Sequence, residues 1–163
     1  MTRIINTIKL NKKIAYLQKL KSSNKEGSLI FNSLDNILNH FIGHKLFTIL
    51  KFDKINSNLE RIYTSNPIEY PLQGKKDVIR NFWQVQVLEK GIAYIGYNSH
   101  DIKNSFSDFD LIKKLGCSSV LIIPVKSGNN IKGSVNLLHE ESWYSNNHVK
   151  IAQSLVSVIS QAL

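Results

Sequence analysis

Leu115-Gly116-Cys117-Ser118-Ser119-Val120-Leu121-Ile122-Ile123-Pro124-Val125-Lys126-Ser127-Gly128-Asn129-Asn130-Ile131-Lys132-Gly133-Ser134-Val135-Asn136-Leu137-Leu138-His139 is the stretch on which the fold turns. Residues 118–125 are almost continuously apolar, the pattern of a strand in the middle of a sheet with both faces covered. Lys126-Ser127-Gly128-Asn129-Asn130 is rich in residues that accept turn geometry and leads into a second strand over 131–139. A central hairpin is therefore predicted. Asn136 interrupts its second arm. An amide inside an otherwise apolar strand must find partners or cost about 1–3 kcal/mol, so Asn136 either serves a ligand or satisfies neighbouring backbone.

Outward from the hairpin, Ser145 can cap a last helix whose stripe is Val149, Ala152, Leu155, Val156, Ile159 and Leu163. Ile151, Val158 and Ala162 widen that stripe, so more than one side is buried. Upstream, a helix of about 107–115 stops at Gly116. A short strand is predicted over 92–97, and a helix capped by Asp77 runs to Lys90 and stops at Gly91. Further back, Ser65 to Gly74 holds Pro67 and Pro71 and reads as a shaped loop. Strands at 46–52 and 59–64 flank a polar turn. A helix over 28–41 carries Ile30, Leu34, Ile37, Leu38 and Phe41 on one face, and Gly43 closes it. The order is helix, two strands, helix, strand, helix, hairpin, helix. Five strands of antiparallel character between helices make an α+β layer fold, with the terminal helices on one face. Two mid-chain excursions cover the other face, leaving a cavity where small ligands bind.

Residues 1–27 are read as a basic amphipathic helix with a linker, ahead of a domain over 28–163. Residues 1–25 hold Arg3, Lys9, Lys12, Lys13, Lys19, Lys21 and Lys25 and no acidic residue, with Ile4, Ile8, Leu10, Ile14, Leu17 and Leu20 at helical spacing. Such a helix packs on its own domain or on a second copy; the competing reading lays it on an anionic membrane. The whole chain of 163 residues has a formal charge of +9, nearly all from lysine, since the arginines are Arg3, Arg61 and Arg80. Arginine is the better reader of phosphates and base edges, so the charge is read as solvated surface and no specific nucleic-acid partner is expected. No apolar run approaches the roughly 18–20 residues of a membrane span, and the N-terminal stretch, with charges scattered through it and no apolar block, is not expected to be a secretory signal. A single cysteine, Cys117, cannot form an internal disulfide and suits a reducing cytoplasm.

The residues from Leu115 to Val125, then Gly128 and the run Ile131 to Leu138, resemble the GAF family. That family shows a small-residue lead-in, a strand ending Pro-Val, a Gly turn, and a strand opening with Gly beside a small residue. The resemblance covers about 28–163 and implies a PAS-related central antiparallel sheet. More narrowly, the chain is similar to short stand-alone bacterial GAF proteins, echoed in Arg61-Ile62-Tyr63-Thr64-Ser65-Asn66-Pro67, Tyr70-Pro71, Trp83, Asp101-Ile102, Phe106-Ser107-Asp108, and Asn136-Leu137-Leu138-His139 with Trp143-Tyr144. It implies a small-molecule ligand without identifying it, because the scaffold carries cyclic nucleotides, tetrapyrroles, amino acids, nitrate and haem.

Candidate ligand-binding residues follow from the excursions and the sheet. Tyr63, Tyr70, Trp83, Tyr94 and Phe106 can wall a cavity; Asp101, Asp108, Ser119 and Asn136 can orient a ligand. Each aromatic is equally a core filler, and each polar group a cap. Arg61, an arginine in a lysine-biased chain, suits a carboxylate ligand or a surface partner. His40 and His44 lie four apart, but Gly43 interrupts the turn, so no metal site is expected. No catalytic residue is assigned. One GAF branch reduces free methionine sulfoxide, which needs a nucleophilic thiolate and resolving cysteines; a second cysteine is missing here. The reading is a cytoplasmic sensory module, homodimeric through its terminal helices and read by a separate output protein. The alternatives are an enzyme of that reductase type and a basic interaction module.

Overall fold

The structure, a computed structural model, describes residues 7–23 and 26–163. Arg3, Ile4, Asn24 and Lys25, assigned above to the basic helix and linker, lie outside the described residues. Helices α1 (Thr7–Ser22) and α2 (Gly27–Phe41) precede strands β1 (Leu46–Asp53) and β2 (Asn58–Thr64). The first excursion carries β3 (Lys76–Asp77) and α3 (Phe82–Gln84), which widens into a π-helical turn over Val85–Glu89. After β4 (Tyr94–Gly96), the second excursion carries α4 (Ser99–Ser105) and α5 (Phe109–Lys114). The hairpin β5 (Ser119–Ser127) and β6 (Asn130–His139) follows, then α6 (Asn146–Val156) and a 3-10 turn over Ser157–Ala162.

Among the described residues the strands form one sheet, in the order β3-β2-β1-β6-β5-β4, with antiparallel neighbours throughout. The fold is α+β. Alternation along the strands divides two cores. Phe47, Ile49, Leu121, Ile123, Val135 and Leu137 meet α1, α2 and α6 on one face. Leu46, Leu59, Val120, Ile122 and Leu138 meet Tyr70, Trp83, Val87, Ile102 and Ile112 of the excursions on the other. The near-continuous apolar run of β5 is explained by this burial on both faces, each fully buried Leu or Ile contributing about 1.5–3 kcal/mol. Leu17 and Leu20 of α1 belong to the same core as α2, so α1 packs on its own domain.

Where β6 passes β1, a Cβ on Gly133 would collide with the Leu50 carbonyl oxygen. The sheet closes there because residue 133 has no side chain.

The first excursion departs from the sequence reading. Asp77 does not cap a helix; Lys76 and Asp77 pair with Leu59 and Asn58 as β3, so the sheet gains a strand beyond the five expected. Arg80 takes a left-handed conformation at φ 55°, and helix begins only at Phe82. Asn81 is the cap, accepting from the Gln84 amide, while Gln84 Oε1 accepts from the amides of Ile79 and Asn81. This is a capping box, Asn-x-x-Gln, that the sequence carries in plain view. In the second excursion α4 was not anticipated; Asn98 caps it by accepting from the Asp101 amide. The strand predicted over 92–97 shrinks to Tyr94–Gly96.

Ser145 begins α6 as expected, and the Ser145 amide donates to His148 Nδ1 at 3.2 Å. Burial holds the His148 imidazole below the ordinary histidine range. Unfolded chain therefore takes up the proton first as pH falls. Stability present above about pH 6.5 is lost as pH drops through the folded value. A protonated Nδ1 also ceases to accept. Gln at this third helical position keeps an acceptor without titrating, so His148→Gln should lose less stability between about pH 7.5 and about pH 5.5 than the wild type. Urea midpoints at the two pH values measure the difference.

Candidate functional site

A cavity of about 200 Å³ lies between β1, β2 and β6 and the two excursions. Its sheet side carries Thr48 and Leu50 of β1, Leu59 and Arg61 of β2, and Asn136 and Leu138 of β6. The excursions supply Tyr70, Asn81, Trp83, Gln84, Phe106 and Asp108, with Gln73, Gly74, Lys76 and Asp77 also along the lining.

Arg61 reaches this face because of a bulge. β1 and β2 pair Ile49 with Tyr63 and then Leu50 with Arg61, so Ile62 is an extra residue. Strict alternation would put Arg61 and Tyr63 on one side of the sheet; the bulge separates them. Arg61 is 9% exposed. Its Nη1 donates to the Pro71 carbonyl at 2.6 Å, and Nη2 lies 3.4 Å from Asp108 Oδ2. The guanidinium carbon sits 3.7 Å above the centre of the Tyr70 ring, a cation–π geometry. Arg61 thus joins the sheet to both excursions. Its Nε is buried with no hydrogen-bond partner among the described residues. Native proteins seldom leave such a donor orphaned.

The loop after β2 is built to present Tyr70. Asn66 accepts from the Glu69 amide through Oδ1, its own amide donates to Thr64 Oγ1, and the Tyr70 amide donates to the Asn66 carbonyl. The Tyr70 hydroxyl donates to Asp108 Oδ2 at 2.6 Å. Burial first, and the Asp108 carboxylate second, hold its phenol well above the ordinary range, so it stays a donor. Across the cavity, the Ser105 carbonyl accepts from Trp83 Nε1 and Asn81 Nδ2. Phe106 stacks on Trp83 with centroids 6.1 Å apart. Asn136, 2% exposed, accepts from Ser134 Oγ at 2.9 Å.

Of the sequence candidates, Arg61, Tyr70, Trp83, Phe106, Asp108 and Asn136 line the cavity, whereas Tyr63, Tyr94, Asp101 and Ser119 do not. Tyr63 faces the helices, edge-on to Phe31 and Phe47, and its hydroxyl donates to Asp35 Oδ2 at 2.7 Å. Asp35 Oδ1 in turn meets His44 Nε2 at 2.7 Å, so His44 serves the helical layer. Asp101 accepts from the Tyr97 amide as a local brace. Ser119 Oγ donates to the Glu140 carbonyl, and Tyr94 lies beside Phe82 at the sheet edge. Thr48, Asn81 and Gln84 were missed. Thr48 pairs with Asn136 across β1 and β6, a signal that needs the strand register to read. Arg80 grips Glu89 through Nε and Nη2 at the surface. Cys117 is buried, and that burial pushes its thiol up to about 11, leaving little thiolate at neutral pH.

No family model and no curated protein matches the sequence. Solved structures do share its fold. The GAF domain of the Acinetobacter phosphoenolpyruvate-protein phosphotransferase superposes with a TM-score of 0.70 at 11% identity, over 93% of this chain and 90% of that one. The phycocyanobilin-bound GAF domain of a cyanobacterial phytochrome gives 0.68 at 12% identity, over 94% of each chain. Free methionine-R-sulfoxide reductase from Neisseria meningitidis, in complex with its substrate, gives 0.66 at 11% identity, over 94% of this chain and 87% of that one. At such identities the likeness is one of fold. Among the described residues no helix is long and apolar enough to cross a membrane.

Proposed function

We propose that this chain, which has the GAF-domain fold, is a sensory module that holds a small molecule between the sheet and the 65–115 excursions. The observation that carries the reading is the lined cavity with Arg61 buried beside it, one N–H left without an acceptor. An unpaired buried donor costs about 1–3 kcal/mol, and a ligand oxygen is a natural way to recover it. Because Arg61 touches both excursions, a ligand that engages it changes how they sit on the sheet. Neighbours of the same fold belong to a phosphotransferase and a phytochrome, and the phytochrome domain is bound to phycocyanobilin; these roles support the sensory reading.

The helical layer is the proposed route by which the state leaves the domain. We infer a homodimer through the terminal helices, where Ile8 and Tyr16 of α1 are exposed, and a separate protein that reads it. The reductase reading draws less support: the chain holds one cysteine, and its thiol is buried away from nucleophilic character.

A melting screen with metabolites tests the proposal. A ligand at one hundred times its Kd stabilises by about 2.7 kcal/mol, which raises the midpoint by roughly 5–10 °C in a chain of this size. The shift should vanish in Arg61→Met. If no amino acid, nucleobase, nucleotide, tetrapyrrole or inorganic anion moves the midpoint, the sensory reading fails.

A further inference from the structure

The polar groups around the cavity restrict the charge and the edge of whatever enters it. We propose that the ligand is a small molecule of zero net charge presenting a hydrogen-bond-accepting oxygen beside a hydrogen-bond-donating nitrogen, with an apolar remainder. This rests on the reading that the cavity binds a small molecule.

Size comes first. An apolar cavity of about 150 Å³ takes benzene, so about 200 Å³ here suits a ligand on the order of ten non-hydrogen atoms. A tetrapyrrole or a cyclic nucleotide exceeds that unless the excursions open.

Charge comes second. Arg61 is the buried cation at the cavity, and Asp108 stands 3.4 Å from it as counter-ion. That separation is longer than the 2.7–2.9 Å of a tight charge-assisted bond, so the pair is neutral in sum yet loosely made. A net anion drawn to Arg61 meets Asp108 within a few ångströms. A net cation drawn to Asp108 meets Arg61. Farther out on the lining, Lys76 and Asp77 again balance each other.

The unused hydrogen-bonding groups come third. Arg61 Nε is a donor without an acceptor among the described residues; Asn136, on the lining, uses Oδ1 toward Ser134 and offers its amide nitrogen as a second donor. Tyr70 and Arg61 both engage Asp108 Oδ2, and Oδ1 takes no partner among the described residues. These two donors and one idle carboxylate oxygen ask for a ligand edge that both accepts and donates. The stacked Trp83 and Phe106, with Leu50 and Leu59, leave room for an apolar remainder.

Two sources share this chemistry: a zwitterionic amino acid with an apolar side chain, and a cyclic lactam such as a nucleobase. The test is calorimetric titration of the wild-type chain with leucine, uracil and hypoxanthine. The charged comparison set is isocaproate (leucine without its ammonium), isoamylamine (leucine without its carboxylate), benzoate, inorganic phosphate and cyclic AMP. At least one neutral probe should bind at least tenfold tighter than every charged one. Leucine alone identifies the zwitterion; uracil or hypoxanthine identifies the lactam. Asp108→Asn, which keeps an acceptor for Tyr70, should weaken the successful neutral probe at least tenfold and strengthen benzoate or isocaproate. If a charged probe binds wild type as tightly as the best neutral one, this inference is overturned while the sensory reading stands. Should no probe of either set bind, the inference fails, and the wider melting screen decides the sensory reading by itself. The wild-type series decides the matter even if the variant does not fold.

Discussion

Arg61→Ala should lower folding stability by about 3 kcal/mol, roughly 6–12 °C in melting midpoint, and should abolish any ligand-induced shift. The size of the effect follows from what the side chain holds together. Its Nη1 ties down the Pro71 carbonyl, its Nη2 faces Asp108, and its plane covers the Tyr70 ring. Truncation leaves Asp108, whose side chain is only 19% exposed, as a carboxylate without its cation. Removing one partner of a buried pair is costly for that reason, whereas removing both is far less so. Arg61→Met combined with Asp108→Leu should therefore be more stable than Arg61→Ala alone. Arg61→Lys should not rescue the loss, because an ammonium cannot bond Pro71 and Asp108 with a planar fork and stack on Tyr70 together. Hydrogen exchange adds a local readout. The amides of Tyr70 and Ile112, bonded to Asn66 and Asp108, should exchange faster in Arg61→Ala. A midpoint within about 1 °C of wild type would show that the excursions do not depend on Arg61.

Gly133→Ala should cost more than about 4 kcal/mol, enough to leave little soluble folded protein. In the centre of the sheet, Gly133 pairs with Lys51 of β1 on one side and Val125 of β5 on the other. A methyl group there would meet the Leu50 carbonyl oxygen, and Leu163 Cδ2 at 2.9 Å. The leucine end can swing aside. Backbone in the β1–β6 ladder can move only by breaking its hydrogen bonds, so the strain has no cheap outlet. Gly128→Ala is the comparison, since nothing lies within 4 Å of where its methyl group would stand but its φ is 59°. That change should cost about 1 kcal/mol from backbone strain alone. Soluble yield and urea midpoints for the two variants measure the contrast. Equal, mild losses would mean that β1 and β6 can separate at Gly133 without penalty.

Much of the architecture was legible because it rests on local patterns. The apolar run over 118–125, the turn at Gly128 and the last helical stripe from Val149 to Leu163 each need only period and composition to read. The first excursion was misread where local and non-local signals compete. Asp77 has a good capping side chain, but its backbone is taken up by pairing with Asn58, and the cap passes to Asn81. That residue and Gln84 spell a capping box; the more familiar acidic cap upstream hid it.

Candidate site residues divide along the same line. Trp83, Phe106 and Asp108 were found by their place on excursions that had to cover the sheet. Tyr63 was named as an aromatic able to wall the cavity, and on a regular strand it would share a face with Arg61 two residues before it. The sequence by itself determined the α+β order, the doubly covered hairpin and the set of polar groups that must be buried somewhere. Only the tertiary structure decided which of them meet. The extra residue at Ile62 is a property of how β1 and β2 pair, and it turns Arg61 toward Tyr70 and Asp108 while sending Tyr63 to Asp35. A bulge is settled by the register of two strands, and a cavity by every element that encloses it; neither is encoded in the period of a single segment.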